Sequence, residues 1–344
     1  MIHSVKLEEF IALAKEIPVV DVRSESEYKQ GHFPGAFSIP LFNDEERKIV
    51  GTKYKKESPL QAMSVGLEFA KNRLSYYAQE AAKKSKNKKL LLYCWRGGMR
   101  SKSFSFVMQM CGIDTYVLEG GYKSIRNKVL HSFTDKFKLI ILGGYTGSAK
   151  TEILQKLKDK GEQIIDLEGL AHHKGSAFGG INEDAQSSTE YFENRLWADL
   201  KELDINKKIW VEDESMQIGR NTIPKAFFEQ MKAANVIKII FPTSQRIDFL
   251  ISKYTSDDLA LINSSEKIKK RLGGLETKNA IEAIKNQNYA LAAELLLKYY
   301  DKAYEYGLSK RDEKTVFPLE LEEMFDEEVC EKIIQKVKEI TFLD

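Results

Sequence analysis

Between Lys138 and Leu157 the chain passes from a short apolar run, Lys138-Leu139-Ile140-Ile141-Leu142, into Gly143-Gly144-Tyr145-Thr146-Gly147-Ser148-Ala149-Lys150-Thr151, and leaves through Glu152-Ile153-Leu154-Gln155-Lys156-Leu157. A buried strand, a glycine-rich turn and a helix opened by Lys-Thr form the setting of a phosphate-binding loop. Such a unit commits its part of the chain to an α/β fold with a mainly parallel sheet. Backbone N–H groups of the turn ring an anion, Lys150 adds a point charge, and the Thr151 hydroxyl can hold Mg²⁺. Gly144, Thr146, Gly147, Ser148, Lys150 and Thr151 are therefore the expected phosphate-binding residues. The pattern G-x-x-x-x-G-K-[ST] breaks once, because Ala149 stands where the last glycine belongs. A Cβ there either crowds the anion or, where φ must be positive, costs about 1 kcal/mol or somewhat more.

A phosphate-binding loop wants an acid at the end of a neighbouring strand, to hold Mg²⁺ or water. Ile209-Trp210-Val211-Glu212-Asp213-Glu214 offers Glu212 and Asp213, and the strand Gln163-Ile164-Ile165 delivers Asp166 and Glu168. Strand alternation turns Asp213 to the side opposite its two neighbours. The adjacent His172 and His173 diverge on a helix and have no third histidine or cysteine nearby, so no metal centre is expected. With Lys174 they read instead as contacts to phosphate or RNA.

The N-terminal third alternates strand and helix in the same way. Leu7–Lys15 and Glu25–Gln30 have helical spacing, Pro18–Arg23 and Phe37–Pro40 read as strands, and Leu60–Lys84 as a long helical region. Lys89–Tyr93 is a buried strand that ends on Cys94-Trp95-Arg96-Gly97-Gly98-Met99-Arg100-Ser101, with helical spacing from Lys102 to Met110. A cysteine that opens a glycine-rich turn at a helix N-terminus meets inward N–H groups and the positive end of the dipole, and both favour the thiolate. Cys94 is thus the expected nucleophile, with Arg96, Gly97, Gly98 and Arg100 forming an anion cradle. Thr115–Leu118 is a further strand. The stretch Lys123–Lys136 reads as a basic, helical linking segment.

Three cysteines at wide spacing argue against a disulfide framework and for a reducing compartment. No run of about 18 apolar residues is present, and the N-terminus lacks the basic-then-apolar pattern of a signal peptide, so a cytoplasmic protein without membrane contact is expected. A net charge of +2 leaves RNA binding to local patches. Lys123, Arg126 and Lys128, the Lys83–Lys89 run, and Lys267–Arg271 with Lys270 and Arg271 are the candidates. From about Ala280 to Leu343 the chain reads as helices with apolar spacing. Tyr299, Tyr300, Tyr304 and Tyr306 serve there in packing or base stacking.

Asp21-Val22-Arg23, Glu27-Tyr28, Gly31-His32-Phe33-Pro34-Gly35-Ala36, Tyr93-Cys94 and Leu118-Glu119-Gly120-Gly121-Tyr122 together resemble a rhodanese domain. That likeness implies a cysteine carrying sulfur or selenium. The loop departs from the rhodanese Cys-x4-Arg spacing, being Cys-x5-Arg as in related phosphatases. Gly144–Thr151, Asp166–Gly179, Trp210–Gly219, Lys269–Gly274, Tyr299–Asp301 and Tyr304 closely resemble the tRNA 2-selenouridine synthase family. The resemblance implies a rhodanese-like domain (1–127), a basic linker (128–137) and a P-loop domain with a helical C-terminal part (138–344).

It further implies a transferase that exchanges sulfur for selenium at the wobble 2-thiouridine of tRNA. Selenophosphate would be the selenium donor, an S-geranylated intermediate would be made from geranyl diphosphate, and no cofactor would be tightly bound. The partners implied are tRNA, through its anticodon stem-loop, and a selenophosphate-supplying enzyme. In this reading the P-loop holds the diphosphate while the thiouridine sulfur attacks the geranyl carbon, and Cys94 then either carries selenium or assists the departing thiol. The alternative is a plain rhodanese-type sulfurtransferase, or a Cys-dependent phosphatase, joined to a degenerate P-loop domain.

Overall fold

Short apolar runs bounded by polar turns become the strands of two parallel sheets. The computed structural model describes residues 1–254 and 257–341. The chain divides into one unit comprising Met1–Ser132 with Glu193–Trp197, and a second comprising Phe133–Phe192 and the residues from Ala198 onward.

The first unit contains β1 (Ile2–Val5), α1 (Leu7–Leu13), β2 (Val19–Asp21), α2 (Glu25–Gln30), β3 (Phe37–Ser38), α3 (Asp44–Lys56), α4 (Pro59–Ala70), α5 (Leu74–Lys84), β4 (Lys89–Tyr93), α6 (Met99–Met110), β5 (Asp114–Leu118) and α7 (Gly121–Ser132). Its sheet has the order β1-β5-β4-β2-β3, every pair parallel. β4 is central, and Leu90 to Tyr93 are buried, as expected of a strand covered on both faces. This places Cys94 at the carboxyl edge of the sheet, where open α/β sheets bind their ligands. β1 was not apparent in the sequence, because an edge strand with one buried residue in four carries no apolar run. α3 buries none of its residues and announces itself only through a capping box, in which Asn43 and Glu46 exchange hydrogen bonds of 2.9 and 3.1 Å. The long helical region expected over Leu60–Lys84 is broken by a 3₁₀ turn at Lys71–Arg73. The expected basic linker begins inside a helix, since residues 128–132 belong to α7 and Val129 is fully buried.

The second unit contains β6 (Lys138–Gly144), α8 (Lys150–Asp159), β7 (Gln163–Ile165), α9 (Leu167–Ala171), α10 (Thr189–Lys201, whose middle residues group with the first unit), β8 (Lys208–Glu212), β9 (Gln217–Ile218), β10 (Asn221–Thr222), α11 (Lys225–Ala233), β11 (Asn235–Ile240), α12 (Thr243–Tyr254), α13 (Asp258–Lys267), α14 (Lys269–Leu272), α15 (Gly274–Lys285), α16 (Tyr289–Leu308), β12 (Val316–Glu320) and α17 (Val329–Thr341). Its main sheet runs β12-β11-β6-β8-β7, again all parallel, with β6 in the middle. β9 and β10 form a small antiparallel hairpin. The α/β class and the order of a rhodanese-like part followed by a P-loop part are as the sequence implies. Residues 342–344, the end of the expected C-terminal helical part including Leu343, lie outside the described residues. No described helix is long and apolar enough to cross a membrane.

The first unit is keyed by a buried ion pair. Asp21 at the end of β2 accepts from Arg23 Nη2 at 2.6 Å and from Nε at 3.0 Å, and both side chains are buried. Arg23 Nη2 also donates to the Gly31 carbonyl, and its guanidinium lies 3.7 Å from the Tyr122 ring centroid. Breaking such a pair strands a buried charge. Asp21→Ala is therefore expected to lower the unfolding free energy of this unit by about 3–5 kcal/mol in denaturant titrations. The double change Asp21→Leu with Arg23→Met should recover most of that loss.

Candidate active sites in the two units

In the first unit the Cys94 loop joins β4 to α6. Gly97 has φ 64° and Gly121 φ 56°. A Cβ on Gly97 would lie 2.3 Å from the Leu118 carbonyl oxygen, and one on Gly121 would lie 2.3 Å from that of Cys94. The two glycines let the Cys94 turn and the start of α7 nest against each other. Tyr122 N–H donates to Cys94 O at 2.8 Å, and Lys123 N–H to Trp95 O at 3.0 Å. Cys94 is buried, with Sγ 3.3 Å from Ser101 Oγ, which itself donates to Gly98 O at 3.1 Å.

Of the two expected cradle arginines, Arg100 is already engaged. It holds Glu27 through two hydrogen bonds of 2.6 and 3.2 Å, and Arg47 stands 3.5 Å away. Burial alone would raise the Glu27 carboxyl, but Arg100 overrides it and holds the group at about 2. Arg96 is exposed beside the loop. The cation facing solvent next to Cys94 is therefore Arg96, and Arg100 secures α6 to α2.

In the second unit the P-loop forms as its sequence implies. Gly147 has φ 83°, and Lys150 opens α8 with Nζ donating to Gly144 O at 3.1 Å. Ala149 adopts φ 50°, ψ 34°, so the unusual residue carries left-handed backbone, and its methyl group is buried. Ser148 Oγ is buried without a hydrogen-bond partner.

The P-loop opens into a cleft of about 530 Å³. Gly144, Gly147, Ser148, Lys150, Thr151, Glu168 and Glu214 line it. So do Phe178, Leu261, Ile284 and Leu296, which pack in one apolar cluster, and Leu250, which stands against Gly147. Of the other lysines at the cleft, Lys174 pairs with Glu183 and Lys253 with Glu152.

The expected second-strand acids divide differently from the sequence reading. Asp166 caps α9, accepting from Gly169 N–H at 2.7 Å and from Gln155 at 2.9 Å. Asp213 accepts from Arg311 at 2.7 Å and from Tyr304 at 3.1 Å. Glu212 is buried, with one oxygen accepting from Leu167 N–H at 2.8 Å and the other unpartnered. The acid that meets the P-loop is Glu168, which accepts from Thr151 Oγ1 at 3.0 Å. Of the two acids that follow β7, Asp166 sits nearer the strand end and is spent as a helix cap, which leaves Glu168 to the loop. Burial, and then the charges of Asp166 and Glu168, push the Glu212 carboxyl up; burial and then Glu168 do the same for Glu214. Among the described residues no three His, Cys, Asp or Glu side chains gather as metal ligands.

The expected RNA contacts also separate. Arg126 is taken by Glu193 and by Asn194, the latter at 2.8 Å. His172 ends α9 in left-handed conformation, and His173 is half-buried with Nδ1 unpartnered. Lys174 lines the cleft. Lys123, Lys128, Lys270 and Arg271 are exposed. Tyr300 and Tyr304 are packing residues: Tyr300 stands edge-on to Phe178 and Tyr304 to Tyr145.

Three outcomes follow from this geometry. Tyr304→Phe removes the acceptor of Gly144 N–H (2.8 Å) and the donor to Asp213, and should cost about 1–3 kcal/mol of stability in denaturant melts. In Ala149→Gly the relief of about 1–2 kcal/mol of left-handed strain is offset by a lost buried methyl of about 0.8 and by added chain entropy of about 0.5–1. Thermal unfolding should therefore change by less than about 1 kcal/mol. Glu27 drops from 4.5 to about 2 on folding, so its stabilisation is full above pH 4.5 and is lost as pH falls toward 2. Glu27→Gln should accordingly flatten the stability profile in that window.

Comparisons with known proteins match both units. Residues 137–332 match the family model described as the tRNA 2-selenouridine synthase AAA domain, and residues 6–128 the rhodanese-like domain. The tRNA 2-selenouridine synthase of Shewanella frigidimarina is 34% identical over 342 residues, covering 89% of this chain and 92% of that protein. Those of Shewanella halifaxensis and Proteus mirabilis are 35% and 32% identical, covering 87% and 91% of this chain and 91% and 94% of theirs. Among solved structures, the N-terminal domain of a putative ATP/GTP binding protein from Clostridium difficile is 38% identical, covering 37% of this chain and 98% of that one, with a TM-score of 0.33. With relatives this similar along nearly its whole length and a family model over its second unit, the chain belongs to the tRNA 2-selenouridine synthase family.

Proposed function

We propose that this protein replaces the sulfur of the wobble 2-thiouridine in tRNA by selenium, and that it first makes an S-geranyl intermediate from geranyl diphosphate. The observation that carries this reading is the mixed lining of the cleft of the second unit. A glycine-rich turn with Lys150 and an aliphatic and aromatic wall line the same cleft. A nucleoside triphosphate would set a polar base against that wall; a diphosphate with a hydrocarbon tail matches both parts of the lining. Its volume falls within the roughly 300–1,000 Å³ usual for small-molecule sites. A plain sulfurtransferase or a Cys-dependent phosphatase gives such a cleft no task.

In the first stage a C–S bond forms to the geranyl carbon as its C–O bond to diphosphate breaks. Charge develops on the departing diphosphate, and Lys150 with the N–H groups of the loop is placed to stabilise it. The raised Glu212 and Glu214 carboxyls resist ionisation, so they oppose the anion less than charged groups would. Thr151 and Glu168 are the residues that would hold Mg²⁺, which would supply further charge to the leaving group. In the second stage the selenium of selenophosphate, made by a separate supplying enzyme, bonds to C2 of the base as geranylthiol departs, and hydrolysis of the Se–P bond releases phosphate. We assign Cys94 and its glycine-rich loop to that exchange.

Mass analysis of wobble nucleosides in cells carrying single variants tests the assignment. Lys150→Ala should lower geranylthio- and selenouridine together, with a rate loss of about 10²–10³. Cys94→Ala should abolish selenouridine and leave geranylthiouridine in place. Full selenium incorporation in Cys94→Ala would remove the thiol from the mechanism, and unchanged nucleosides without the gene would overturn the proposal.

A further inference from the structure

The chemistry assigned to Cys94 demands that a flat pyrimidine be held beside its sulfur, and the next residue has the form of a holder. Trp95 is 39% exposed, whereas the other two tryptophans of the chain, Trp197 and Trp210, are 4% and 1% exposed. The indole keeps part of its surface in solvent next to the Cys94 thiol, and here it is fixed rather than loose. Its carbonyl accepts from Lys123 N–H, and the preceding carbonyl accepts from Tyr122 N–H, so two successive peptides are held by the first turn of α7.

The side chain is backed in the same way. The Trp95 ring lies 5.9 Å from the Tyr122 ring at an interplanar angle of 43°. Tyr122 is fully buried between the Arg23 guanidinium, 3.7 Å from its centroid, and Tyr93, whose ring is 6.0 Å away at 23°. Asp21 fixes Arg23 in turn. Trp95 is thus the solvent end of a buried aromatic and cationic stack, and little side-chain freedom remains to be lost when something lies on it. Arg96 follows it in the chain and the Lys123 N–H bonds its carbonyl, and both side chains are exposed. An exposed aromatic face with two cations close by along the backbone suits an unstacked base with its phosphates better than it suits an apolar protein surface.

We infer that Trp95 is the stacking platform for the wobble base, presenting the ring to Cys94, with Arg96 and Lys123 on the adjoining phosphates. The inference rests on the proposed tRNA reaction and adds the base-binding residue to it.

Because the other two tryptophans are buried, intrinsic fluorescence reports on Trp95. The full-length protein is titrated with an anticodon stem-loop RNA carrying 2-thiouridine, and binding is followed in parallel by gel shift. The expected result is saturable quenching of the solvent-exposed emission, with the buried emission left in place. Trp95→Ala should abolish the quenching and raise KM for the RNA about 5- to 150-fold, the equivalent of about 1–3 kcal/mol per stacked base, with a smaller effect on kcat. Trp95→Phe keeps an aromatic face and should recover part of the KM while giving no quenching. A gel shift with unchanged emission, or a Trp95→Ala protein with the parent KM, would overturn the platform and leave the proposed reaction standing. No gel shift, together with unchanged wobble nucleosides in cells lacking the gene, would overturn both.

Discussion

The grip of α16 on the P-loop is the constraint from which the second unit takes its function. Asp301 holds Arg246 through hydrogen bonds of 3.0 and 2.6 Å, and Arg246 Nε donates to Thr146 O at 3.0 Å. Tyr304 accepts from Gly144 N–H at 2.8 Å and donates to Asp213. Glu305 accepts from Tyr145 and from Lys238. Positions 301, 304 and 305 share one face of a helix, so one rigid element contacts Gly144 and Tyr145 directly and reaches Thr146 through Arg246. The same helix lines the cleft with Tyr289, Ala292, Leu296, Leu297, Tyr300 and Ala303. The loop and the apolar wall of the cleft are therefore both positioned by a single helix.

Charge balance follows from that placement. Four carboxyl groups, Glu168, Glu212, Asp213 and Glu214, cluster at the ends of two adjacent strands, which would ordinarily repel an anionic ligand. Arg311 pairs with Asp213 and Tyr304 donates to it, and burial pushes Glu212 and Glu214 toward their neutral forms. Lys150 remains directed at the loop. Ala149 fits the same picture: its buried methyl and its left-handed backbone offset each other, so the missing glycine is no sign of a failed site.

What could be read in the sequence was what is local. The apolar runs of β4, β6 and β8 and the glycine-rich turns that follow them carry their own periodicity, so both sheets and both loops were legible. Edge strand β1 and solvent-facing α3 bury almost nothing, and periodicity is silent about such elements. The division of labour among the acids was hidden because it depends on partners far along the chain. Arg311 and Tyr304 claim Asp213 from about a hundred residues away, and Glu27 claims Arg100 across 73. The apolar wall of the cleft was hidden for the same reason. Its wall is assembled from Phe178, Leu250, Leu261, Ile284 and α16, and no single window of sequence contains it.

The central claim is that one cleft grips an anionic head and a hydrocarbon tail together. Calorimetric titration of the full-length protein with geranyl diphosphate and with inorganic diphosphate tests it most directly. The account predicts that geranyl diphosphate binds about a hundredfold more tightly or better, with a negative heat-capacity change from the buried tail. Equal affinities for the two ligands would contradict it.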